Sequence, residues 1–274
     1  MSILLFACCI AVLLCLVMAV AWAVAERTGN SGWVDTIWSF AVGGAGGLAA
    51  LVPLDGAPGF LPRQFLVAGL VAVWSLRLGL HILARTRAGH DDPRYAHLRR
   101  EWGDAAPRNL FLFLQIQAVA ALVLALALLA AARNPLPYFH LGDVLGLGLA
   151  LVAISGEAVA DRQLARFRAD PANAGRVCDV GLWGLSRHPN YFFEWLGWMA
   201  YPLIGLDLGG AYGWGWAAFA APALIYWLLV HASGIPPTES HMLRSRGDAF
   251  RAYQRRVNAF WPWRRRGGDE EKRR

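Results

Sequence analysis

The sequence contains little charge for its length. Only 16% of its 274 residues are Asp, Glu, Lys or Arg, whereas a soluble domain carries about a quarter. Hydrophobic residues make up 57% of the chain, and the mean hydropathy is +0.37. These values exclude an ordinary soluble domain and indicate a polytopic membrane protein. The 13 tryptophans and 14 prolines are also typical of that class.

Cysteine is scarce as well. Three of the four cysteines, Cys8, Cys9 and Cys15, lie in the first apolar segment, and the fourth is Cys178. No pair has zinc-ligand spacing with histidines nearby, so we expect neither a disulfide framework nor a metal site. The N-terminus also lacks the basic region of a signal peptide, and its apolar run of about 23 residues is too long for a signal core. We therefore expect a retained transmembrane helix.

Seven apolar segments are long enough to cross a bilayer of about 30 Å as helices. The second segment is rich in glycine, which permits close contact between helices. We therefore predict an all-α membrane protein with a single seven-helix domain over residues 1–263. Residues 264–274 are expected to form a basic, disordered cytosolic tail. The predicted spans are 3–25, 33–53, 64–84, 110–132, 142–161, 190–206 and 213–232.

The distribution of Lys and Arg predicts the orientation. Twenty-two of the 26 lie in three segments, 85–108, 162–187 and 244–274. With seven spans, these segments all fall on one side of the membrane, and by the positive-inside rule that side is cytosolic. We therefore expect the N-terminus outside and the C-terminus in the cytosol. An even number of spans would break this alternation.

Ionisable and amide side chains inside the predicted spans are costly in lipid and are therefore functional candidates. Each lies in the part of its helix nearest the inferred cytosolic face, and we expect the outer halves to be apolar. A single pair is better explained as an internal salt bridge, but a whole layer predicts a polar cavity open to the cytosol. These residues are Asp35, Arg77, His81, Gln115, Gln117, Glu157, Asp161, Asn190, Glu194 and His231.

The densest group of such residues lies between Gly181 and Glu194, a stretch that reads Gly-Leu-Trp-Gly-Leu-Ser-Arg-His-Pro-Asn-Tyr-Phe-Phe-Glu. Arg and His often cap membrane helices at the headgroup level, which is the simplest interpretation. Guanidinium groups also bind phosphates bidentately, so loop arginines indicate an anionic cofactor. No Gly-x-Gly-x-x-Gly follows a predicted strand, so a Rossmann site is excluded. The loop arginines are Arg85, Arg87, Arg94, Arg99, Arg166, Arg168, Arg176 and Arg187.

The 181–194 stretch resembles the C-terminal signature of the steroid 5α-reductase superfamily, notably its bacterial membrane branch. The resemblance covers nearly the whole chain, from about residue 30 to 263. Arg-His-Pro-x-Tyr alone is weak, because membrane methyltransferases share it, whereas Asn190 and Glu194 together with the Asp161 segment are more specific. The other matching stretches are Asp35-Thr-Ile-Trp38, Trp74-Ser-Leu-Arg77-Leu-Gly79, Asp92-Pro-Arg-Tyr95 and Glu157…Asp161-Arg-Gln163.

The resemblance implies an NADPH-dependent reductase that acts on a carbon–carbon double bond conjugated to a ketone. Its substrate would be a lipophilic, steroid-like enone, and NADPH would bind in a cavity that faces the cytosol. By motif, the expected cofactor contacts are Arg77, Asp161, Arg168, Asn190 and Glu194. Further candidates in or beside the motifs are Arg85, Glu157, Arg187, His188 and Tyr191.

The resemblance also implies a carboxylic acid from the second helix, paired with a tyrosine from the third, that stabilises the developing enolate. Asp35 is the candidate acid, and burial could keep it protonated. The tyrosine position is occupied by Trp74, whose indole N–H can donate a hydrogen bond but cannot transfer a proton as a phenol does. Tyr95 and Trp38 are other candidate donors.

Two alternatives remain open at the level of sequence. One is a membrane methyltransferase that uses S-adenosylmethionine, although the region Pro237-Thr-Glu-Ser-His241 departs from the Arg-Glu motif of those enzymes. The other is a non-catalytic lipid-binding or transport protein.

The basic C-terminal segment predicts contact with the lipid bilayer. Attraction to anionic headgroups is expected from Arg244 onward, and Trp261-Pro262-Trp263 is typical of an interfacial anchor. We expect no nucleic acid and no obligate protein partner. An arginine-rich, lysine-poor chain favours a bacterial inner membrane.

Overall fold

The computed structural model describes residues 1–57, 59–89 and 92–263, and most of these residues are helical. No β-strand is present among these residues, and an isolated bridge joins Ser186 to Asn258. The predicted tail, 264–274, lies outside the described residues. The all-α prediction is therefore confirmed for the described chain.

The described chain forms ten α-helices. A 3₁₀ segment, Gly213–Phe219, precedes the ninth helix, and a π-helical turn, Leu228–Ala232, follows it. The helices are α1 (Ile3–Thr28), α2 (Gly32–Leu51), α3 (Leu61–Arg87), α4 (Pro93–Trp102), α5 (Ala106–Ala132), α6 (Leu141–Ala169), α7 (Pro189–Trp198), α8 (Ala200–Gly205), α9 (Ala220–Trp227) and α10 (Ile235–Arg256).

Six stretches of the described residues are long and apolar enough to cross a membrane, so the chain is a transmembrane helical protein. The first five predicted spans each coincide with one of these helices, and only the span 33–53 extends beyond its helix, which ends at Leu51. The sixth stretch, Gly213–Arg256, contains the predicted span 213–232. The count of seven spans and the orientation of the termini stay predictions.

The predicted span 190–206 is two short helices, α7 and α8, which are separated at Met199. The Met199 N–H is shared between the carbonyl oxygens of Trp195 and Leu196, both at 3.2 Å. The contact with Leu196, three residues earlier, belongs to a tighter turn than that of an α-helix. Pro202, three residues later, has no N–H to donate to the preceding turn. This proline explains why the apolar run does not form one continuous helix.

The chain divides into two compact units. The first, here called unit 1, comprises Met1–Leu147 and Ala200–Ala221. The second, unit 2, comprises Gly148–Met199 and Pro222–Arg274. The prediction of a single domain stays a prediction.

In unit 1, glycines allow α2 to approach its neighbours closely. A Cβ atom at Gly43 would overlap the side chain of Ser75 on α3, and one at Gly46 would overlap Leu128 on α5. Ser75 also donates a hydrogen bond of 3.0 Å to the Ser39 carbonyl oxygen. Such close approach is how small residues hold membrane helices together. The predicted role of the α2 glycines is therefore confirmed at these two positions.

A buried ion pair joins the N-terminal ends of α3 and α6. Arg63, which is fully buried, binds both carboxylate oxygens of Asp143 at 2.8 Å. Its remaining donors reach the carbonyl oxygens of Asn134, Leu136 and Tyr138 at 2.7–2.9 Å. The expectation that the outer halves of the helices are apolar is wrong for this end of unit 1. Asp143 lies within a predicted span, but its partner Arg63 lies 80 residues away.

In unit 2, the Gly181–Gly184 segment packs on α6. Gly181 has a φ of 58°, a conformation that favours glycine, and a Cβ atom there would meet Gln163. Gln163 accepts a hydrogen bond from the Leu182 N–H at 2.9 Å, and Trp183 Nε1 donates to the Ala160 carbonyl oxygen at 2.9 Å. These contacts explain why Gly181 and Trp183 occur together in the 181–194 stretch, since both are needed for contact with α6.

Replacement of Gly43 by Ala should destabilise the protein, because the added methyl group overlaps Ser75. Overpacking of this kind costs about 1–3 kcal/mol. The matched control is Gly44→Ala, since a Cβ atom at Gly44 meets no atom within 4 Å. Thermal unfolding in detergent should show a lower Tm for Gly43→Ala alone. Equal Tm values for the two variants would contradict the close α2–α3 contact.

Candidate functional site

A cluster of polar side chains surrounds the carboxylate of Asp35 in the first turn of α2. Tyr95 of α4 donates its hydroxyl hydrogen to Asp35 Oδ1 at 2.8 Å, and Arg94 Nη2 donates to Asp35 Oδ2. Gln117 Nε2 of α5 donates to the Tyr95 oxygen at 3.0 Å. The Tyr95 side chain is buried. These residues, with Asp92, are here called the Asp35 cluster.

The start of α4 explains why Arg94 and Tyr95 reach Asp35. The side chain of Asp92 caps the helix by accepting the Arg94 N–H at 3.0 Å, and it also binds the Arg94 guanidinium at 2.8–2.9 Å. Arg85 Nη2 at the end of α3 adds a contact of 3.1 Å to Asp92. Burial would raise the pKa of the Asp92 carboxyl, but the hydrogen bonds and charges of Arg94 and Arg85 outweigh it, so the pKa lies below its ordinary value.

A second ionic contact fixes α4 over the end of α1. Arg99 Nη2 binds Glu26 Oε1 at 2.6 Å, and Arg99 Nε lies 3.4 Å from the Ser31 hydroxyl. Arg94 and Arg99 are five residues apart on the same short helix. Two arginines therefore hold α4 against α1 and α2 and fix the position of Tyr95.

Two further candidates from the reductase resemblance in unit 1, Trp74 and Arg77, lie on α3. Trp74 is buried, and Arg77 is partly exposed one turn later. Asp35 binds α4 residues through both of its carboxylate oxygens. The structure therefore brings Asp35 together with Tyr95, one of the alternative donors.

Unit 2 contains a second cluster, built around Glu239 of α10. Arg187 Nε and Nη2 bind the two carboxylate oxygens of Glu239 at 2.7 and 3.2 Å. His188 Nε2 lies 3.1 Å from Glu239 Oε1, and Gln254 Nε2 donates to Oε2 at 2.6 Å. Arg187 Nη1 donates to the carbonyl oxygens of Gln254 and Val257. Arg187 therefore connects the 181–194 stretch to both ends of α10.

His188 is buried beside Glu239 and stacks on Tyr191. Their ring centroids are 5.2 Å apart, with an angle of 6° between the planes. Burial and the charge of Arg187 lower the pKa of His188, and together they outweigh the hydrogen bond to Glu239 and the charge of Glu239, which would raise it. The Tyr191 hydroxyl lies 3.3 Å from Thr238 Oγ1. These contacts hold the His188 ring between Glu239 and Tyr191.

The remaining candidates in unit 2 lie on α6 and α7. Asn190 Oδ1 is buried and has no hydrogen-bond partner among the described residues, whereas Glu194 Oε1 accepts the Trp198 indole N–H at 2.9 Å. Glu157 is buried, Asp161 is partly exposed and Arg168 is exposed. Phe193 fills the space beside Gly156, so α7 packs directly on this part of α6.

Some residues of the two clusters could not be assigned from the sequence. Glu239 is 52 residues from Arg187, and nothing in its surroundings marks it as a partner. Asp92 and Arg94 did carry a signal, because the stretch Asp92–Tyr95 was part of the resemblance. An Asp two residues before an Arg at the start of a short helix predicts a cap, which could have drawn attention to Arg94.

Replacement of Glu239 by Gln should destabilise unit 2 strongly, because it leaves the Arg187 guanidinium buried without a counter-charge. Breaking a buried pair in this way costs about 3–5 kcal/mol. Asp248→Asn is the matched control, since the Asp248–Arg251 pair is exposed. Loss of such a pair costs at most about 1 kcal/mol. Denaturant unfolding of the detergent-solubilised protein, followed by tryptophan fluorescence, should give a much lower free energy of unfolding for Glu239→Gln than for Asp248→Asn. Similar free energies for the two variants would contradict a structural role for Glu239.

No curated protein and no solved structure matches the chain, whereas one family model does. Residues 21–257 match the family model described as protein of unknown function (DUF1295), which spans most of the chain and includes both clusters. The chain therefore belongs to the DUF1295 family.

Proposed function

We propose that the protein is an NADPH-dependent reductase that adds hydrogen across the carbon–carbon double bond of a lipophilic enone. The observation that carries the proposal is the hydrogen bond of 2.8 Å between buried Tyr95 and Asp35. A phenol beside a carboxylate is the pair of groups that the reductase resemblance implies, although the tyrosine comes from α4. The similarity of the 181–194 stretch and of the Asp161 segment to the steroid 5α-reductase superfamily supports the same reaction.

The residues of unit 2 are chemically suited to hold the cofactor. Asn190 Oδ1 is a buried acceptor with no hydrogen-bond partner among the described residues, and such atoms are costly unless a ligand or water satisfies them. Glu194 and Asp161 are carboxylates that can accept ribose or carboxamide hydrogens, and exposed Arg168 can bind phosphate. Arg187 and His188 are already bound to Glu239, so we assign them to the fold of the motif. When bound, NADPH supplies the hydride to the β-carbon of the enone.

Tyr95 is the proton donor in this proposal. As the β-carbon gains a hydride, negative charge develops on the ketone oxygen, and a fixed O–H donor stabilises it. Asp35 accepts hydrogen bonds from both Arg94 and Tyr95, an arrangement that suits an ionised carboxylate. Asp35 holds the Tyr95 hydroxyl by accepting its hydrogen. In this proposal the hydroxyl turns from Asp35 to the ketone oxygen when the enone binds, and the phenol delivers the proton that completes the saturated ketone. This assignment replaces a protonated Asp35 as the acid and removes the need for Trp74 to transfer a proton.

The membrane arrangement belongs to the proposal too. The concentration of arginine in three segments supports seven spans, with the N-terminus outside and the reaction accessible to the cytosol. Arg63 does not oppose this orientation, because a single arginine does not outweigh the 22 Lys and Arg residues of the three segments. A bacterial inner membrane is the location that the arginine-rich composition favours.

A methyltransferase that uses S-adenosylmethionine is the second candidate. Such enzymes share the Arg-His-Pro-x-Tyr motif and have an acidic residue before the C-terminal tail. Glu239 lies in the corresponding region and binds both Arg187 and His188. Against this candidate, both carboxylate oxygens of Glu239 are bound by Arg187, His188 and Gln254.

The identity of the bound nucleotide tests the two candidates. The protein purified in mild detergent should retain NADP(H), identified by absorbance and mass, and Glu194→Ala should weaken NADPH binding about tenfold, as expected for loss of a hydrogen bond to a charged group. Glu101→Ala is the control, since Glu101 is an exposed carboxylate in unit 1. Retention of S-adenosyl compounds, or failure of NADPH to bind, would contradict the reductase.

Removal of the Tyr95 hydroxyl should abolish most of the turnover. Tyr95→Phe is expected to lower kcat by about 100-fold, the usual effect of losing one oxyanion donor, and to leave NADPH affinity unchanged. Tyr138→Phe, an exposed tyrosine in unit 1, is the control. Enone-dependent oxidation of NADPH provides the rate. If Trp74→Phe lowers kcat as much and Tyr95→Phe does not, the donor has been assigned wrongly.

A further inference from the structure

Helix α10 has two chemically different faces. Phe250 and Tyr253 are buried and, with Val257, form a core against which Val177 packs. The helix is kinked at Gly247, where φ is 50°, and its exposed surface on both sides of the kink is basic. The exposed basic residues of this surface, here called the basic face, are His241, Arg244, Arg246, Arg251, Arg255 and Arg256.

Few carboxylates offset these arginines. Asp248 binds Arg251 at 2.8 Å, and Asp179 binds Arg256 at 3.3 Å. The other three, Arg244, Arg246 and Arg255, form no ion pair with any described residue. The contacts of Arg244 and Arg246 are to the Ser240 hydroxyl and the Ser245 carbonyl oxygen, which are both neutral. Within the part of the chain that the structure describes, three guanidinium groups of this face are therefore available to an anion.

Exposed tryptophans follow the basic face. Trp261 and Trp263 are 50% and 73% exposed. The Trp261 ring also contacts Trp195 and Phe192 of α7, at centroid distances of 5.2 and 5.9 Å. Its position is thus fixed by α7, although half of its surface remains accessible. Exposed indoles of membrane proteins gather at the level of the lipid headgroups.

We propose that the basic face of α10, together with Trp261 and Trp263, binds the headgroups of anionic phospholipids. Guanidinium groups bind phosphate bidentately, and the indoles lie between headgroup and acyl chain. The helix follows an apolar stretch long enough to cross a membrane, since the candidate span Gly213–Arg256 includes both. Nucleic acid offers phosphate without an apolar layer for the tryptophans, so the combination favours lipid.

The binding should be electrostatic, specific for anionic lipid and independent of the reaction that the protein catalyses. Each basic residue near an anionic surface contributes about 1 kcal/mol, or roughly fivefold in affinity. Loss of Arg244, Arg246 and Arg255 should therefore weaken the binding by about 100-fold. Binding of zwitterionic lipid should not change.

The test is a titration of the detergent-solubilised protein with phosphatidylglycerol or phosphatidylcholine, with bound lipid counted by native mass spectrometry. The test variant is Arg244→Gln/Arg246→Gln/Arg255→Gln. Arg100→Gln/Arg108→Gln serves as the control, because both are exposed arginines of unit 1. We expect only the triple variant to lose phosphatidylglycerol, with an unchanged Tm, and Trp263→Ala to weaken the same binding.

Three outcomes would overturn the proposal. The first is equal retention of phosphatidylglycerol by the wild type and the triple variant. The second is an equal loss in the control variant, which would indicate a response to net charge alone. The third is displacement of the lipid by inorganic phosphate but not by chloride at the same ionic strength, which would indicate a site for free phosphate. Should the triple variant have a lower Tm, Arg255→Gln alone should still weaken phosphatidylglycerol binding about fivefold.

Discussion

The cost of burying charge in an apolar helix bundle is the constraint on which this structure depends. A buried ion is tolerated only where a counter-ion and hydrogen bonds replace water. Among the described residues, the pair Arg63–Asp143 is buried, and the pairs Arg94–Asp35 and Arg187–Glu239 are partly buried. Each pair joins segments that are more than 50 residues apart. The ion pairs therefore fix which helices are neighbours as well as neutralising their own charges.

Much of the fold could be predicted from the sequence, because helices in lipid must be long and apolar. The predicted spans 3–25, 64–84 and 142–161 correspond to α1, α3 and α6 for this reason. The span 190–206 was the exception, since hydropathy does not register the effect of Pro202 on the preceding turn. Asp143 was also missed, because a sequence pattern does not reveal a partner that lies 80 residues away.

The candidate site could be predicted only in part, for a related reason. Asp35 and Tyr95 are each recognisable as candidates, but their contact depends on the Asp92 cap and on the Arg99–Glu26 pair, which fix α4. Arg187 was predicted to hold a phosphate because its motif is basic. Its contact with Glu239 shows that the same motif binds α10. Asn190 keeps its candidate role, since its buried oxygen has no hydrogen-bond partner among the described residues.

The central claim is that the protein reduces an enone with a hydride from NADPH. Its most direct test is the fate of the hydride, followed with NADPH that carries deuterium at the reactive carbon of the nicotinamide ring. The purified protein is mixed with a lipophilic enone, and the product is examined by mass spectrometry and NMR. We expect one deuterium on the former β-carbon of a saturated ketone. A product that contains no deuterium, or that carries deuterium on the carbonyl carbon of an alcohol, would contradict this claim.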